Sequence, residues 1–200
     1  MAMALSTAHM SRFEAPVDSA ESDRFVAQAH SEPDLVERWL ARDPRMVRAT
    51  STWGERPVDA AAHCGHRRLL RRLLNAGADH DLFTACASGD LRQTRIELQT
   101  CRDEPLGIHL LPLLHFAVVN DDLPMLEALI RDGVAVNPAG AALSPLHSAV
   151  AQDDRVMLEV LLAAGGDPNA QDAFGSSVLD WAADLHGIDS AQFAVLGQSR

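Results

Sequence analysis

The sequence contains no tyrosine and no lysine, and aromatic residues make up only 4% of its 200 positions. Strands of β-sandwiches and β-barrels favour aromatic and β-branched residues, so this composition argues against an all-β fold. Apolar residues nevertheless reach 47%, which is enough to form a core, and alanine and leucine dominate them. These residues suit packed helices. We therefore expect one helical domain or one repeat array.

Positive charge is also scarce, since the formal net charge is −11 at neutral pH. An acidic surface repels nucleic acids and anionic membranes, so we expect neither as a partner. The longest apolar run, "LLPLLHFAVV", is interrupted by Pro112 and His115 and is too short to cross a bilayer.

Cysteine is limited to Cys64, Cys86 and Cys101, an odd number without a CxxC pair. This pattern indicates free thiols in a reducing compartment. The first sixteen residues, "MAMALSTAHMSRFEAP", lack the basic start and sustained apolar run of a secretion signal. We therefore predict a cytoplasmic protein.

Two segments of the chain repeat each other at a spacing of 32 residues, as His115 and His147 illustrate. The same spacing relates Ala117 to Ala149, Asp121-Asp122 to Asp153-Asp154, Leu129-Ile130 to Leu161-Leu162, and Gly133 to Gly165. An earlier segment, "RPVDAAAHCGHRRLLRRLLNAGAD", carries the same pattern. A fixed period near 30 residues indicates a stack of structural repeats.

Each repeat reads as two short helices joined by a tight turn. Gly65, Gly89, Asp121 and Asp153 stand at the turn, where positive φ is needed. Asp90, Asp122 and Asp154 then precede the second helix, where they can cap it. Gly77, Gly133 and Gly165 are placed to end that helix. One such unit cannot bury its apolar faces alone, whereas stacked copies can.

The segments "SPLHSA" with "LEVLLAAGGDPN", and "RPVDAAAHCGH" with "LLRRLLNAGAD", resemble ankyrin repeats. The resemblance implies an all-α solenoid of about six stacked helix-turn-helix units with short β-turn or hairpin tips. We expect a flexible tail over residues 1–19 and a repeat domain over 20–196. Its units are expected near 21–50, 51–81, 82–105, 106–138, 139–170 and 171–196, the last being a C-terminal cap.

The third unit is shortened, because only 24 residues separate Gly65 from Gly89. The loss of its hairpin predicts a notch in the row of tips, and Thr94 and Glu97 replace apolar residues in its second helix. Two interpretations stay open: a hinge or partner-specific groove, or a degenerate repeat tolerated by its neighbours.

The resemblance implies a protein–protein interaction module, whose partners are one or more unidentified proteins and whose concave face consists of tips and first helices. We expect a monomer, with self-association through Trp53 and the apolar tips as an alternative. The tip candidates are Thr52, Trp53, Glu55, Leu111, Ala141, Leu143, Ala173, Phe174 and Ser176. The candidates along the inner helix ends are His63, Val119, Asn120, Ala151, Gln152 and Asp184.

Trp53 and Phe174 are the strongest of these candidates, because large aromatic residues at exposed tips fit the pattern of binding hot spots. The alternative is that each folds back onto a neighbouring unit. Arginines of "HRRLLRRLL", with Arg38, Arg92 and Arg95, suggest either a basic strip for an anionic partner or a solvated outer face.

The sequence gives little support for metal binding or catalysis. The stretch "HCGH" offers His63, Cys64 and His66, with His80, Cys86 and His115 nearby in repeat space, but no paired zinc-ligand spacing is present. GxSxG, HExxH, P-loop and dinucleotide-binding motifs are absent. We predict no enzyme, no metal site and no cofactor. The alternative is a small metal-binding or catalytic protein on the same scaffold, for instance with Cys86 as a nucleophile.

Overall fold

A computed structural model describes residues 17–101 and 106–187, and within these ranges the chain forms eleven α-helices and no β-strand. Five of them open a helix pair: α1 (Ser19–Ser31), α3 (Pro57–His63), α5 (Leu82–Ser88), α7 (Leu113–Val119) and α9 (Pro145–Ala151). A further helix, α11 (Val178–His186), follows the fifth pair. Five close a pair: α2 (Pro33–Arg42), α4 (Arg67–Asn75), α6 (Leu91–Leu98), α8 (Leu123–Arg131) and α10 (Arg155–Ala163). Short 3₁₀ turns occupy Pro44–Arg48 and Ile108–Leu110. The prediction of an all-α chain is confirmed for the described residues.

The helix pairs, numbered one to five in chain order, stack in sequence, and α11 packs against the fifth. Each opening helix contacts the next one, from α1 through to α11, while α2 contacts α4 and α8 contacts α10. Between the two rows lie fully buried side chains such as Leu70, Phe116, Leu129 and Leu146. Removing these side chains from water is the main stabilising contribution to the stack, and no single pair could achieve it.

Aspartates cap three of the five closing helices, α6, α8 and α10, as predicted. The carboxylates of Asp90, Asp122 and Asp154 accept hydrogen bonds from the backbone N–H groups of Gln93, Met125 and Met157, at 2.9, 3.0 and 3.0 Å. Each bond satisfies one of the N–H groups that a helix start leaves without a partner. The turn residues before them, Asp121 and Asp153, have φ of 51° and 53°, also as predicted.

The second and fourth pairs touch each other across the shortened third pair. α3 contacts α5 and also contacts α7 directly. At this contact Gly65 has φ of +73°, and a Cβ on it would lie 2.2 Å from the carbonyl oxygen of Val119. Only glycine satisfies both the backbone angle and this close approach. The short unit therefore brings together residues that a regular stack would separate.

The space left by the missing hairpin of the third pair is a cavity of about 270 Å³, lined in part by Asp81, Phe83 and the segment 106–108. A Cβ on Gly107 would lie 3.0 Å from both Phe83 and Phe116, so this segment lies closely over the third pair. Thr94 is fully buried, and its hydroxyl donates to the carbonyl oxygen of Asp90 at 2.7 Å. Thr94 therefore fills a buried position of α6 with its hydroxyl hydrogen-bonded, as an apolar residue would fill it. The hinge at the third unit stays a prediction.

Most of the predicted tail, residues 1–16, lies outside the described residues, as does the segment "SAQFAVL" expected in the C-terminal cap. α1 begins at Ser19, within the range assigned to the tail. Among the described residues, none of the helices combines the length and the apolar character needed to cross a membrane.

Candidate functional site

Phe174 lies at the tip of the turn before α11 and is 95% exposed. Its turn is held from within, because the carboxylate of Asp172 accepts the N–H groups of Phe174 and Ser176, both at 2.9 Å. The indole N–H of Trp181 donates to the same carboxylate at 3.0 Å. Burial opposes ionisation of Asp172, but these hydrogen bonds leave its pKa below the ordinary value. The aromatic ring is therefore presented to solvent on a fixed turn.

Backbone hydrogen bonds tie successive tips into a row. Ala142 donates its N–H to the carbonyl oxygen of Leu110 at 3.0 Å, and Ala173 donates to Ala142 at 2.7 Å. Two β-bridges, Leu106 with Pro112 and Gln171 with Ser177, close the tips at either end of this row. Leu110 is 56% exposed, so the row presents a second large apolar side chain beside the small residues.

The other predicted contact residues divide by exposure. Thr52, Ala151, Gln152, Ala173 and Asp184 are exposed, while Ala141, Leu143, Val119 and Ser176 are half-buried. Trp53 is 49% exposed, and its indole N–H donates to Glu55 at 2.8 Å. These residues are available to a partner to the extent of their exposure.

Three predicted contact residues are buried, so the expectation that they face a partner needs correction. Leu111 belongs to the apolar core. The Asn120 amide donates to the carbonyl oxygens of Ala62 and Phe116, at 2.8 and 2.9 Å. Glu55 is buried, with a side chain that is 1% exposed. The two polar side chains bond within the protein, because burial without hydrogen bonds is costly.

Glu55 stands at the centre of a cluster that includes three histidines. Its Oε1 lies 2.9 Å from Nε2 of His63 and 3.2 Å from Nε2 of His30. Its Oε2 lies 3.6 Å from Nε2 of His109. The four side chains each offer one ligating atom, and these atoms all lie within 4.8 Å of one another. We call these four residues the His₃Glu cluster.

The cluster forms because three helix pairs converge on one turn. His30 lies in the last turn of α1, and His63 is the last residue of α3. Glu55 lies in the turn before α3, where its N–H donates to the Ser51 hydroxyl at 2.9 Å. His109 comes from the 3₁₀ turn before α7, in the fourth pair. The direct contact between the second and fourth pairs brings His109 close to Glu55.

The carboxyl group of Glu55 has a pKa well below its ordinary value. Burial alone raises its pKa, but hydrogen bonds from His63 and Trp53 and the charges of His30 and His63 lower it to about 2. The neighbouring thiol of Cys64 behaves in the opposite way, since burial and the charge of Glu55 raise its pKa to about 11. At neutral pH the cluster contains a carboxylate, and Cys64 beside it is a neutral thiol.

The sequence pointed to part of this cluster. "HCGH" drew attention to His63, but its partners come from other helix pairs. His66 instead bonds the carbonyl oxygen of His30 at 2.8 Å, and His80 is exposed. His115 is buried against Ser148, at 2.7 Å. His30 and His109 carried no signal of their own, because nothing in the repeat period predicts that the second and fourth pairs touch.

The arginine strip is mostly engaged in ion pairs. Arg68 pairs with Glu37 at 3.1 Å, and Arg95 with Asp132 at 2.6 Å. Arg67 donates to the carbonyl oxygen of Asn120 at 2.7 Å. These contacts favour a solvated outer face over an anion-binding strip.

Cys86, considered above as a nucleophile, is fully buried. Burial, followed by the charge of Asp122, raises its pKa far above the ordinary value. A thiol reacts as the thiolate, so this environment does not activate Cys86.

The family model of the ankyrin repeat matches residues 143–173, which include α9, α10 and the turn that follows them. A search of curated proteins finds no match to the chain. The match falls on the segment whose "SPLHSA" and "LLAAGGDPN" carried the resemblance in the sequence. Residues 143–173 therefore form an ankyrin repeat.

Proposed function

We propose that the chain binds a partner protein through its row of tips, with Phe174 as the main apolar anchor and Leu110 and Trp53 as further contacts. The observation that carries this proposal is the exposure of Phe174, 95%, on a turn fixed by Asp172. An aromatic side chain held in place before binding loses little conformational freedom in a complex. Large aromatic residues are also enriched among binding hot spots.

The scaffold in this proposal is an ankyrin domain over 20–196. Its units lie at about 21–50, 51–81, 82–105, 106–138, 139–170 and 171–196, and it acts as a monomer in the cytoplasm. The helix pairs and their sequential contacts support this division. The exposed candidates Gln152 and Asp184 and the half-buried Val119 and Leu143 border the contact surface.

The partner surface complementary to these tips is an apolar depression bordered by basic groups. The small residues beside Phe174, in "DAFGS", leave its ring free to enter a depression. The net charge of −11 favours a basic partner, since complementary charge steers association. Nucleic acids and anionic membranes are disfavoured as partners, because their negative charge repels that of the chain.

The test is an affinity capture from lysate of the source cell, comparing the wild-type chain with Phe174→Ala and Leu110→Ala. Val156→Ala is the matched control, because Val156 is an apolar residue of similar exposure to Leu110, 53%, on the closing helix α10. We expect a protein retained by wild type and Val156→Ala and lost from the tip variants. Equal retention by all variants would contradict the proposal. Sedimentation of the purified chain tests the monomer.

A further inference from the structure

We propose that the His₃Glu cluster, formed by His30, Glu55, His63 and His109, binds one divalent transition-metal ion, zinc by its ligand chemistry. The metal proposal does not rest on the proposed function, although Trp53 and Leu110 of the contact surface adjoin the cluster.

The spacing of the four ligating atoms fits a tetrahedral ion. Zinc lies about 2.1 Å from imidazole nitrogen and carboxylate oxygen, which places the ligand atoms of a tetrahedral site about 3.4 Å apart. Oε1 of Glu55 lies 2.9 and 3.2 Å from Nε2 of His63 and His30, and its Oε2 lies 3.6 Å from Nε2 of His109. No ligating atom in the cluster lies more than 4.8 Å from another.

The tautomer of His30 supports a metal at this position. Its Nδ1 lies 2.9 Å from the carbonyl oxygen of Val26, so Nδ1 carries a proton and donates it. Nε2 is then the ring nitrogen directed at the Glu55 oxygen, 3.2 Å away, and it is the nitrogen that can ligate a metal. Histidine ligands of zinc characteristically donate their second N–H to a carbonyl or carboxylate in this way.

Burial of Glu55 supplies a second reason. A carboxylate without solvent exposure needs a positive counterpart. Among the described residues, the basic side chains within ion-pair distance of Glu55 are three imidazoles, whereas Arg56 pairs with Asp59 and Asp81. A divalent ion held by these imidazoles would supply the positive charge, with the Trp53 indole fixing the carboxylate as an outer hydrogen-bond donor.

The backbone before α7 directs His109 into the cluster. His109 and Leu110 both have φ of 57°, a conformation that L residues rarely adopt and that carries an energetic cost. The rings of His30 and His63, and those of His63 and His109, pack edge to face with centroids 5.0 and 5.4 Å apart. The His109 side chain is 50% exposed, so an ion can enter from solvent along this side.

The donor set selects the kind of metal. Three imidazoles and one carboxylate suit zinc and its neighbours in the first transition series, whereas calcium and magnesium prefer oxygen ligands. Four protein ligands around a tetrahedral ion correspond to a structural site, because catalytic zinc keeps an open position. The ion would join the first, second and fourth helix pairs across the shortened third pair.

The test uses the full chain after removal of metal with a chelator, followed by zinc titration in competition with a chromophoric chelator. We expect one zinc per chain and a rise in unfolding temperature on binding. His109→Gln, a change at a half-exposed side chain, should weaken binding about 100-fold, since even outer-shell changes cost about 10- to 100-fold. His80→Gln is the matched control at an exposed histidine outside the cluster, and should bind as wild type does.

Cobalt substitution identifies the ligands. The cobalt-loaded chain should show visible bands of tetrahedral intensity without a thiolate-to-cobalt charge-transfer band, because Cys64 is not a ligand. His30→Gln, with helicity checked by circular dichroism, provides a second variant. The proposal fails if zinc does not bind stoichiometrically, if His109→Gln binds as tightly as wild type, or if the cobalt spectrum shows thiolate ligation.

Discussion

The side chain of His115 joins the fourth helix pair to the second, since its Nε2 donates to the carbonyl oxygen of His63 at 3.1 Å. His147, at the same position of the following repeat, donates instead to Ser176 in the next unit, at 3.2 Å. The same repeat position therefore bonds to an earlier unit in one repeat and to a later unit in the next. The shortened third pair explains the difference, because it lets α3 and α7 meet.

The contact between the second and fourth pairs predicts that substituting Gly65 lowers the free energy of unfolding more than substituting a glycine in open space. Gly65→Ala would force a Cβ within 2.2 Å of the Val119 carbonyl oxygen, on a backbone with positive φ. We expect a loss of about 3 kcal/mol in the free energy of unfolding, measured by urea denaturation. Gly77→Ala is the control, since Gly77 also has positive φ but nothing within 4 Å, and should lose about 1 kcal/mol. Equal losses would contradict a close packing of the two pairs.

The buried His147 predicts a pH dependence of stability. Its Nδ1 accepts the N–H of Ser144 at 3.1 Å and its Nε2 donates to Ser176, so the neutral ring satisfies both nitrogens. Burial lowers its pKa below 6.5, against the opposing effects of Ser176 and the charge of Asp172. As the pH falls below 6.5, the unfolded state therefore binds more protons at this residue than the folded state does. The folded state becomes less stable as the pH falls.

The measurement compares wild type with His147→Gln by urea denaturation at pH 7 and pH 5. Wild type should be the more stable at pH 7, and its advantage should shrink at pH 5, since glutamine does not titrate. An advantage that is the same at both pH values would show that the ring does not titrate as described. Trp181, which packs edge to face on His147 with centroids 5.1 Å apart, is retained in both proteins.

Differences in burial predict an order of reactivity among the three thiols. Cys101 is exposed, Cys64 is partly buried with a pKa raised to about 11, and Cys86 is fully buried. A chromogenic disulfide should label Cys101 rapidly in the native chain and Cys86 only after unfolding. Cys101→Ser should remove the rapid phase. A rapid phase that persists in this variant would place a reactive thiol elsewhere.

The sequence was sufficient for the local structure and insufficient for the contacts between distant repeats. Asp90, Asp122 and Asp154 were recognisable as helix caps, because capping depends on residues three positions apart. Phe174 was expected either to lie exposed at a tip or to fold back onto a neighbouring unit, and the structure exposes it. Helix capping and exposure at a tip are both properties of one repeat.

The burial of Glu55 and Asn120 could not be foreseen in the same way. Both were predicted to face a partner, and each is buried by groups from other helix pairs: His30 and His109 around Glu55, and Ala62 against Asn120. Such contacts depend on how far the third pair separates its neighbours. That distance follows from the packing of α5, which periodicity does not encode.

The most direct test of the interaction surface is the dissociation constant of the captured partner for Phe174→Ala and for Val156→Ala, measured by titration calorimetry. We expect Phe174→Ala to weaken binding by about tenfold or more, as loss of a hot-spot residue does. Val156→Ala should leave the constant within about a factor of two, because surface changes away from a contact have small effects. Equal constants for the two variants would show that the tips carrying Phe174 do not form the binding surface.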